Sequence, residues 1–174
     1  MLRTVIGGAV VAVIAGLLAI VGDGIGITAL WPVFLAVGVA LVAGPAVASR
    51  VGSFALGAVV GFAAMAVNAG FLPDVAAANA IVVVLAVAIL TLVAALTQGL
   101  LPLWASLIGY AAFVGFYSPT FAEAPTAFLS DAPVALVAVL LAAGVGAIVA
   151  IVAELAGNGV TRTEDRQVAA GEAV

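Results

Sequence analysis

The residues of this chain that could do chemistry are the polar side chains inside its apolar stretches, and they are few. They are amides, hydroxyls and one carboxylate: Asn68, Asn79, Thr91, Gln98, Ser106, Tyr110 and Glu154. Tyr117 is a further polar residue of these stretches, and the pattern assigns it no role. Their spacing is typical of no catalytic site, but a polar group without a partner in hydrocarbon is costly. We therefore expect these residues to make contacts between helices or to form the polar lining of a passage.

Two amides, Asn68 and Asn79, lie near the ends of successive apolar stretches. If these stretches are antiparallel helices, the amides lie at a similar depth and can meet each other or a common ligand. A polar contact between membrane helices contributes roughly 1 to 2 kcal/mol, so structural pairing is one interpretation and the lining of a passage is the other. Glu154 lies about one turn before the end of the last stretch, where its carboxylate can reach the membrane surface; ion or proton binding is the alternative.

Three residue types are missing from the chain: Cys, His and Lys. Their absence excludes disulfides, thiolate nucleophiles, His or Cys metal sites, a Ser-His-Asp triad and a Schiff-base lysine. Asp23, in the segment GDGIG, is expected in a turn, because an intramembrane aspartyl protease would need a second carboxylate facing it. The sequence therefore predicts no enzyme activity, no cofactor and no metal site.

The composition is that of a protein dissolved in lipid. Of the 174 residues, 67% are hydrophobic and 7% are charged, and the mean hydropathy is +1.47. A surface in water needs roughly a quarter of its residues to be charged, so the predicted partner of this surface is the lipid bilayer. The net charge of −4 offers no basic patch, so no nucleic-acid partner is expected.

Six apolar stretches are long enough to cross the ~30 Å hydrocarbon layer as helices. They cover residues 4–21, 28–48, 53–71, 76–97, 100–118 and 132–155, separated by Gly, Pro and charged residues. The sequence therefore predicts an all-α, polytopic membrane helix bundle over residues 1–156. The polar segment 157–174 has no periodicity and is predicted to be a disordered cytoplasmic tail. Asp74 and Asp131 directly precede apolar stretches and are expected to cap helix starts.

All cations of the chain are arginines: Arg3, Arg50, Arg162 and Arg166. If there are six spans and the N-terminus is inside, all of them lie on the cytoplasmic side, as the positive-inside rule favours. The sequence therefore predicts a multi-pass protein of the cytoplasmic membrane with both termini in the cytoplasm.

Two segments of the chain have similar patterns. The second stretch opens with ALWPVFLAVGVALVAGP and the fifth with PLWASLIGYAAFVGFYSP, so that Trp31 and Trp104 occupy corresponding places. This favours two units of three helices, which would be inverted because three is odd; transporters commonly have this arrangement. The simpler interpretation of Trp31 and Trp104 is that they anchor helix ends at the membrane interfaces.

These segments also resemble those of a known family. The resemblance rests on LWPVFLAVGVALVAGPAVASRVGSFALGAVVGFAAMAV, from Leu30 to Val67, and on LPLWASLIGYAAFVGFYSP, from Leu101 to Pro119. In these segments the chain is similar to the YcdZ-like family of small bacterial inner-membrane proteins of unknown function. Arg50 and Trp104 depart from the family pattern. The resemblance implies an inner-membrane protein and brings no catalytic residues to this chain.

Small residues recur at four-residue spacing, at Gly8, Ala12 and Gly16 and again at Gly57 and Gly61. This spacing lets helices approach closely within the bundle, or lets copies of the chain form a homo-oligomer. The predicted function is a small channel or permease for a small neutral or weakly polar solute. The alternative is an accessory or scaffold subunit of a membrane complex that transports nothing itself.

Overall fold

The described part of the chain is helical throughout. The structure, a computed structural model, describes residues 2–21, 24, 29–42, 46–71 and 76–171. Within these residues the helices are α1 (Leu2–Val21), α2 (Trp31–Leu41), α3 (Val47–Phe71), α4 (Ala76–Leu96), α5 (Leu103–Glu123) and α6 (Phe128–Gly171), with a 3₁₀ turn at Pro125–Ala127. The predicted all-α class is confirmed for this part of the chain.

Three segments of the described chain are long and apolar enough to cross a membrane. They are Val47–Phe71, Asn79–Leu96 and Pro125–Ala156, and shorter apolar helices cover Gly8–Leu18 and Trp31–Leu41. Many large apolar side chains, including those of Ile20, Phe71 and Leu129, are exposed on the outer surface. Exposed apolar surface of this extent is stable against lipid and not against water, so these helices indicate a membrane protein.

The boundaries of α2 and α3 differ from the predicted spans. α2 has 11 residues and Pro32 in its first turn, and it ends at Leu41, well before the predicted end of the second span at 48. α3 begins at Val47, so Ser49 and Arg50 are helical although we expected a turn there. A proline just before a helix start is well tolerated because no N–H is needed there, and Pro45 precedes α3 in the sequence.

The boundaries of α5 and α6 also differ from the prediction. α5 continues through Pro119 to Glu123, where the sequence predicted a turn. α6 begins at Phe128, so Asp131 lies in its first turn and is not the residue before the helix; there its negative charge opposes the helix dipole. α6 also extends through 157–171, which we expected to be disordered. Extending an existing helix needs no new nucleation, and this segment contains the good helix formers Ala, Glu, Arg and Gln.

The helices pack in pairs around a central contact between α3 and α6. The most extensive contact joins α3 to α5, and the next joins α2 to α6; α1 packs on α6, α4 packs on α3 and α5, and α2 also touches α5. Ser49 donates a hydrogen bond to the carbonyl of Leu100, so α3 and α5 begin at the same end, which we call the arginine end after Arg50. The opposite end, where α5 ends and α6 begins, is the aspartate end, after Asp131.

An aromatic cluster fills the core toward the aspartate end. It consists of Phe62 on α3, Phe113, Tyr117 and Phe121 on α5, and Phe128 on α6. Neighbouring ring centroids lie 5.7 to 6.2 Å apart, within the range of favourable stacked and edge-to-face contacts. The cluster joins α3 to α5 and α6.

Candidate functional site

The closest approach between helices is the crossing of α3 and α5, which glycines on both sides allow. A Cβ atom at Gly57 would overlap the carbonyl oxygen of Ser106 and lie 2.8 Å from the backbone nitrogen of Tyr110. A Cβ at Gly109 would overlap the carbonyl oxygen of Phe54. Distances this short leave room only for a hydrogen atom, so the two backbones are in direct contact.

A second close contact joins α6 to α2. A Cβ atom at Gly146 would lie 2.6 Å from the Cβ of Ala36, 3.0 Å from the carbonyl oxygen of Val33 and 3.0 Å from the nitrogen of Val37. By contrast, a Cβ at Gly8 or Gly16 would meet nothing within 4 Å. Gly57 and Gly61 therefore serve close packing inside the bundle, whereas the described structure leaves room for a side chain at Gly8 and at Gly16 of α1.

The structure brings Asn68 and Asn79 together near the aspartate end. Nδ2 of Asn68 donates a hydrogen bond of 2.6 Å to Oδ1 of Asn79, and both side chains are half-buried. Oδ1 of Asn68 is buried and has no hydrogen-bond partner among the described residues. The neighbouring groove between α3 and α4, about 210 Å³, is lined by apolar side chains such as Val67 and Val82. The amides therefore bind each other beside an apolar groove.

Replacing Asn68 by leucine is expected to lower the free energy of unfolding by about 1 to 2 kcal/mol, because it leaves the Asn79 amide without a partner in lipid. The double variant with Asn79→Leu removes both polar groups, so part of this loss is expected to be regained. SDS-induced unfolding in mixed micelles measures the difference. Purely additive losses in the two single variants and the double variant would contradict a pairwise contact, and unchanged solute flux in them would reject a lining role.

A groove opens at the aspartate end between α5 and α6. It has a volume of about 570 Å³, and its wall includes Phe116, Tyr117, Thr120, Asp131 and Val134. Oδ1 of Asp131 accepts a hydrogen bond of 2.7 Å from the hydroxyl of Ser130. The groove therefore combines two aromatic rings with a hydroxyl and a carboxylate, which suits a small ligand that has both an apolar and a polar part.

Tyr117 links this groove to the aromatic cluster. Its side chain is 2% exposed, and its hydroxyl is buried without a hydrogen-bond partner among the described residues. The ring stacks on Phe113 at 5.9 Å, and Tyr117 and Asp131 both line the groove. A buried hydroxyl without a partner is costly, so this group is either a cost to the fold or a contact for a ligand.

Replacing Tyr117 by phenylalanine is expected to raise the free energy of unfolding by about 1 kcal/mol, because it removes the desolvation cost of the unpartnered hydroxyl and keeps the ring. SDS unfolding of the ligand-free protein measures the change. Tyr110→Phe, in the same helix but only half-buried, is the matched control and is expected to show no such gain. A loss of stability in Tyr117→Phe would mean that the hydroxyl has a partner in the folded protein.

The remaining candidates of the sequence lie in different places. The Thr91 hydroxyl donates to the carbonyl of Val87 in its own helix, at 2.8 Å. Gln98 is exposed, at a backbone φ of 51° in the turn after α4. Ser106 is buried at the α3–α5 crossing, Tyr110 packs beside it against α3 and α4, and Glu154 is half-buried in α6. These residues do not line one common site.

The two tryptophans lie at opposite ends of the bundle. Trp31 opens α2 at the aspartate end, where it is 40% exposed and its ring lies 6.4 Å from that of Phe116. Trp104 opens α5 at the arginine end and packs against the main core cluster. One tryptophan at each end is the arrangement expected for anchors at the two membrane interfaces.

Three residues important to the packing were not among the predicted contacts. Arg50 is the one buried charged side chain of the described residues, and its guanidinium donates to the carbonyl of Ala40 near the end of α2. A cation there satisfies a carbonyl of the last helical turn and complements the helix dipole. Ser49 ties α3 to the turn before α5, and Ser53 is fully buried one turn before Gly57. In the AVASRVGS segment, the arginine between two apolar stretches is the one feature that marks this region in the sequence, and it predicts a loop.

Two of the predicted turn or capping residues, Asp23 and Asp74, lie outside the described residues. Among the side chains that are described, no group of three metal-ligating residues occurs. No family model, curated protein or solved structure matches this chain. The function must therefore be argued from the packing of the bundle and from the chemistry of its grooves.

Proposed function

We propose that this chain is a six-span membrane protein of two inverted three-helix units, and that it is a channel or permease for a small neutral or weakly polar solute. The units are α1 to α3 and α4 to α6. In transporters built from inverted repeats, the substrate site lies between the repeats near the middle of the membrane. The resemblance to the YcdZ-like family is part of this proposal.

The observation that carries the proposal is the equivalence of two glycine contacts. Gly57 of α3 touches the second and sixth residues after Trp104, and Gly146 of α6 touches the second and sixth residues after Trp31. If α1, α2 and α3 are replaced by α4, α5 and α6, and the reverse, the Gly57 contact with α5 becomes the Gly146 contact with α2. Two unrelated helix pairs would have no reason to share this register, so the match supports a repeated unit.

Most of the other helix contacts obey the same exchange of the two units, although the α4–α5 contact has no counterpart of comparable extent between the described parts of α1 and α2. The exchange relates the α3–α5 pair to α6–α2, the α3–α4 pair to α6–α1, and the α2–α3 pair to α5–α6, whereas α3–α6 and α2–α5 map onto themselves. The inverted relation also agrees with the position of Trp31 and Trp104 at opposite ends. These helix pairs are consistent with a two-fold pseudosymmetry axis that lies in the membrane plane between the two units.

A passage between the units would run from the groove at the aspartate end to the arginine end. The aromatic cluster closes it, because Phe62 of the first unit lies 5.9 Å from Phe113 and 5.7 Å from Phe128 of the second unit. Beyond the cluster, Ser53 and Ser106 are buried hydroxyls that a solute could meet. Besides Arg50 and Tyr117, these two serines are the buried polar side chains of the described core, and no carboxylate is among them, which favours a neutral or weakly polar solute over an inorganic cation.

For orientation, we propose that the arginine end faces the cytoplasm and that both termini lie on that side. Arg50 lies at this end, and six antiparallel spans place Arg3, Arg162 and Arg166 there too. The acids Glu123 and Asp131 lie at the other end. Tags on the two termini that report opposite faces of the membrane would exclude an even number of spans.

Transport is tested with purified protein in liposomes. Vesicles that contain the protein are expected to swell faster than empty vesicles in urea or glycerol gradients, measured by stopped-flow light scattering. The chain has no Cys, so single cysteines in the groove can be blocked with thiol reagents as a control for the path. Equal swelling rates with every solute, together with a larger protein that copurifies stoichiometrically, would favour the accessory-subunit alternative.

A further inference from the structure

The groove at the aspartate end has the chemistry of a cation site. Asp131 contributes a half-buried carboxylate, and the half-buried ring of Phe116 forms part of the same wall. A carboxylate attracts a cation directly, and the faces of aromatic rings attract cations through their quadrupole. These two features in one groove favour the same class of ligand.

The distribution of charged side chains also favours a cation in this groove. Glu123, at the end of α5, is an exposed carboxylate at the same end of the bundle, but it is not among the residues that line the groove. The one cation whose side chain is described, Arg50, lies at the opposite end, where it donates to Ala40. No described basic side chain therefore faces Asp131, and a bound cation would be its countercharge.

The polar atoms of the groove suit an ammonium head better than a bare metal ion. The residues of the wall include one carboxylate, on Asp131, and two hydroxyl groups, on Thr120 and Tyr117. A primary ammonium has three N–H donors, one for each of these three groups. The Tyr117 hydroxyl is buried and has no hydrogen-bond partner among the described residues. Ca²⁺ takes six to eight oxygen ligands, commonly from several carboxylates and backbone carbonyls, whereas this wall has a single carboxylate.

We infer that this groove binds a small organic ammonium ion, with its charge beside the Asp131 carboxylate and its alkyl part against Phe116. The inference goes beyond solute passage and does not depend on it, because binding can be measured without flux. It also gives the unpartnered Tyr117 hydroxyl a role, which is to accept a hydrogen bond from the ammonium. Removal of this hydroxyl is then expected to weaken binding while it stabilises the free protein.

Binding is tested by isothermal titration of ethylammonium chloride into the full chain in detergent micelles, with propanol as an uncharged probe of similar size. Ethylammonium is expected to bind, and Asp131→Asn is expected to weaken its binding about tenfold or more, because charge-assisted hydrogen bonds are the strong ones. Tyr117→Phe is expected to weaken it by a smaller factor, about threefold. Glu123→Gln, which removes an exposed carboxylate at the same end, is the matched control and is expected to leave binding unchanged.

A cysteine variant covers the case in which Asp131→Asn fails to fold. Asp131→Cys in this otherwise cysteine-free chain can be modified after purification with a sulfonate-bearing or a trimethylammonium-bearing thiosulfonate reagent. The sulfonate restores a negative charge and is expected to restore ethylammonium binding, whereas the trimethylammonium group is expected to abolish it. Equal affinity for propanol, or an equal loss in Glu123→Gln and Asp131→Asn, or no effect of either charge at position 131, would overturn the inference.

Discussion

Replacing Gly57 by alanine is expected to lower the free energy of unfolding by about 3 kcal/mol. The added Cβ would overlap the carbonyl oxygen of Ser106 and lie 2.8 Å from the nitrogen of Tyr110. These are backbone atoms, which cannot rotate away as the end of a side chain can. The α3 and α5 helices must therefore separate, and the close packing that holds membrane helices together is lost.

Gly52 provides the matched control in the same helix. It is exposed, and a Cβ atom there would meet nothing within 4 Å. Gly52→Ala is expected to stabilise the protein by up to about 1 kcal/mol, because alanine is the better helix former. SDS unfolding compares the two variants, and a Gly57→Ala protein as stable as Gly52→Ala would show that α3 and α5 do not cross at this point.

The second unit offers the same comparison and tests the proposed repeat. Gly146→Ala places its Cβ 2.6 Å from that of Ala36, whereas Gly144 is exposed and open. If α2 with α6 is the equivalent of α5 with α3, Gly146→Ala is expected to be destabilising and Gly144→Ala is not. Equal stability of these two variants would remove the main support for two equivalent units.

Replacing Phe113 by alanine is expected to lower the free energy of unfolding by about 3 kcal/mol, the lower end of the range for a buried aromatic ring. Phe113 is fully buried, and its ring lies 5.9 Å from those of both Phe62 and Tyr117. In a membrane the loss comes from missing packing contacts and from the cavity, because lipid also solvates apolar groups. The lower end of the range follows from this smaller driving force.

The same substitution has a functional readout. Phe113 closes the proposed passage between the two units, so its truncation is expected to increase the rate of urea or glycerol entry into liposomes. Phe71→Ala is the matched control: Phe71 is 85% exposed at the end of α3, and its loss is expected to change neither stability nor flux. A Phe113→Ala protein that folds and shows no increase in flux would place any passage elsewhere.

The contact between the two amides shows that a polar contact between helices can be predicted from the sequence. Asn68 and Asn79 were expected to meet because each lies near the end of one of two successive apolar stretches, and polar groups in lipid need partners. The hydrogen bond between them agrees with this expectation. Gln98 has the same residue chemistry but lies between the predicted stretches 76–97 and 100–118, and the structure places it in a turn with a positive φ, where its side chain is exposed. A polar residue in an apolar sequence is therefore expected to need a hydrogen-bond partner or water. Its type alone does not show whether it lies inside a helix or in the turn after one.

Arg50 marks a second limit. Its position between apolar stretches predicts a loop at one end of the bundle. Arg50 does lie at one end of the bundle. The structure places it inside α3 and buries it against the end of α2, because its long side chain reaches the carbonyl of Ala40. A charged residue can be buried in this way only if a neighbouring helix ends close enough for its carbonyls to accept a hydrogen bond. That distance depends on the packing of the bundle and not on the local sequence.

The sequence by itself determined that the described chain is helical and apolar, because long apolar segments can satisfy their backbone groups in lipid only as helices. It also placed tryptophans at the starts of two helices and amides at the ends of others. Only the tertiary structure decided which glycines serve packing: Gly57 and Gly146 touch neighbouring backbones, whereas Gly8 and Gly16 do not. It alone placed Tyr117 beside Asp131 in one groove, since α5 and α6 meet there by packing and not by spacing along the chain.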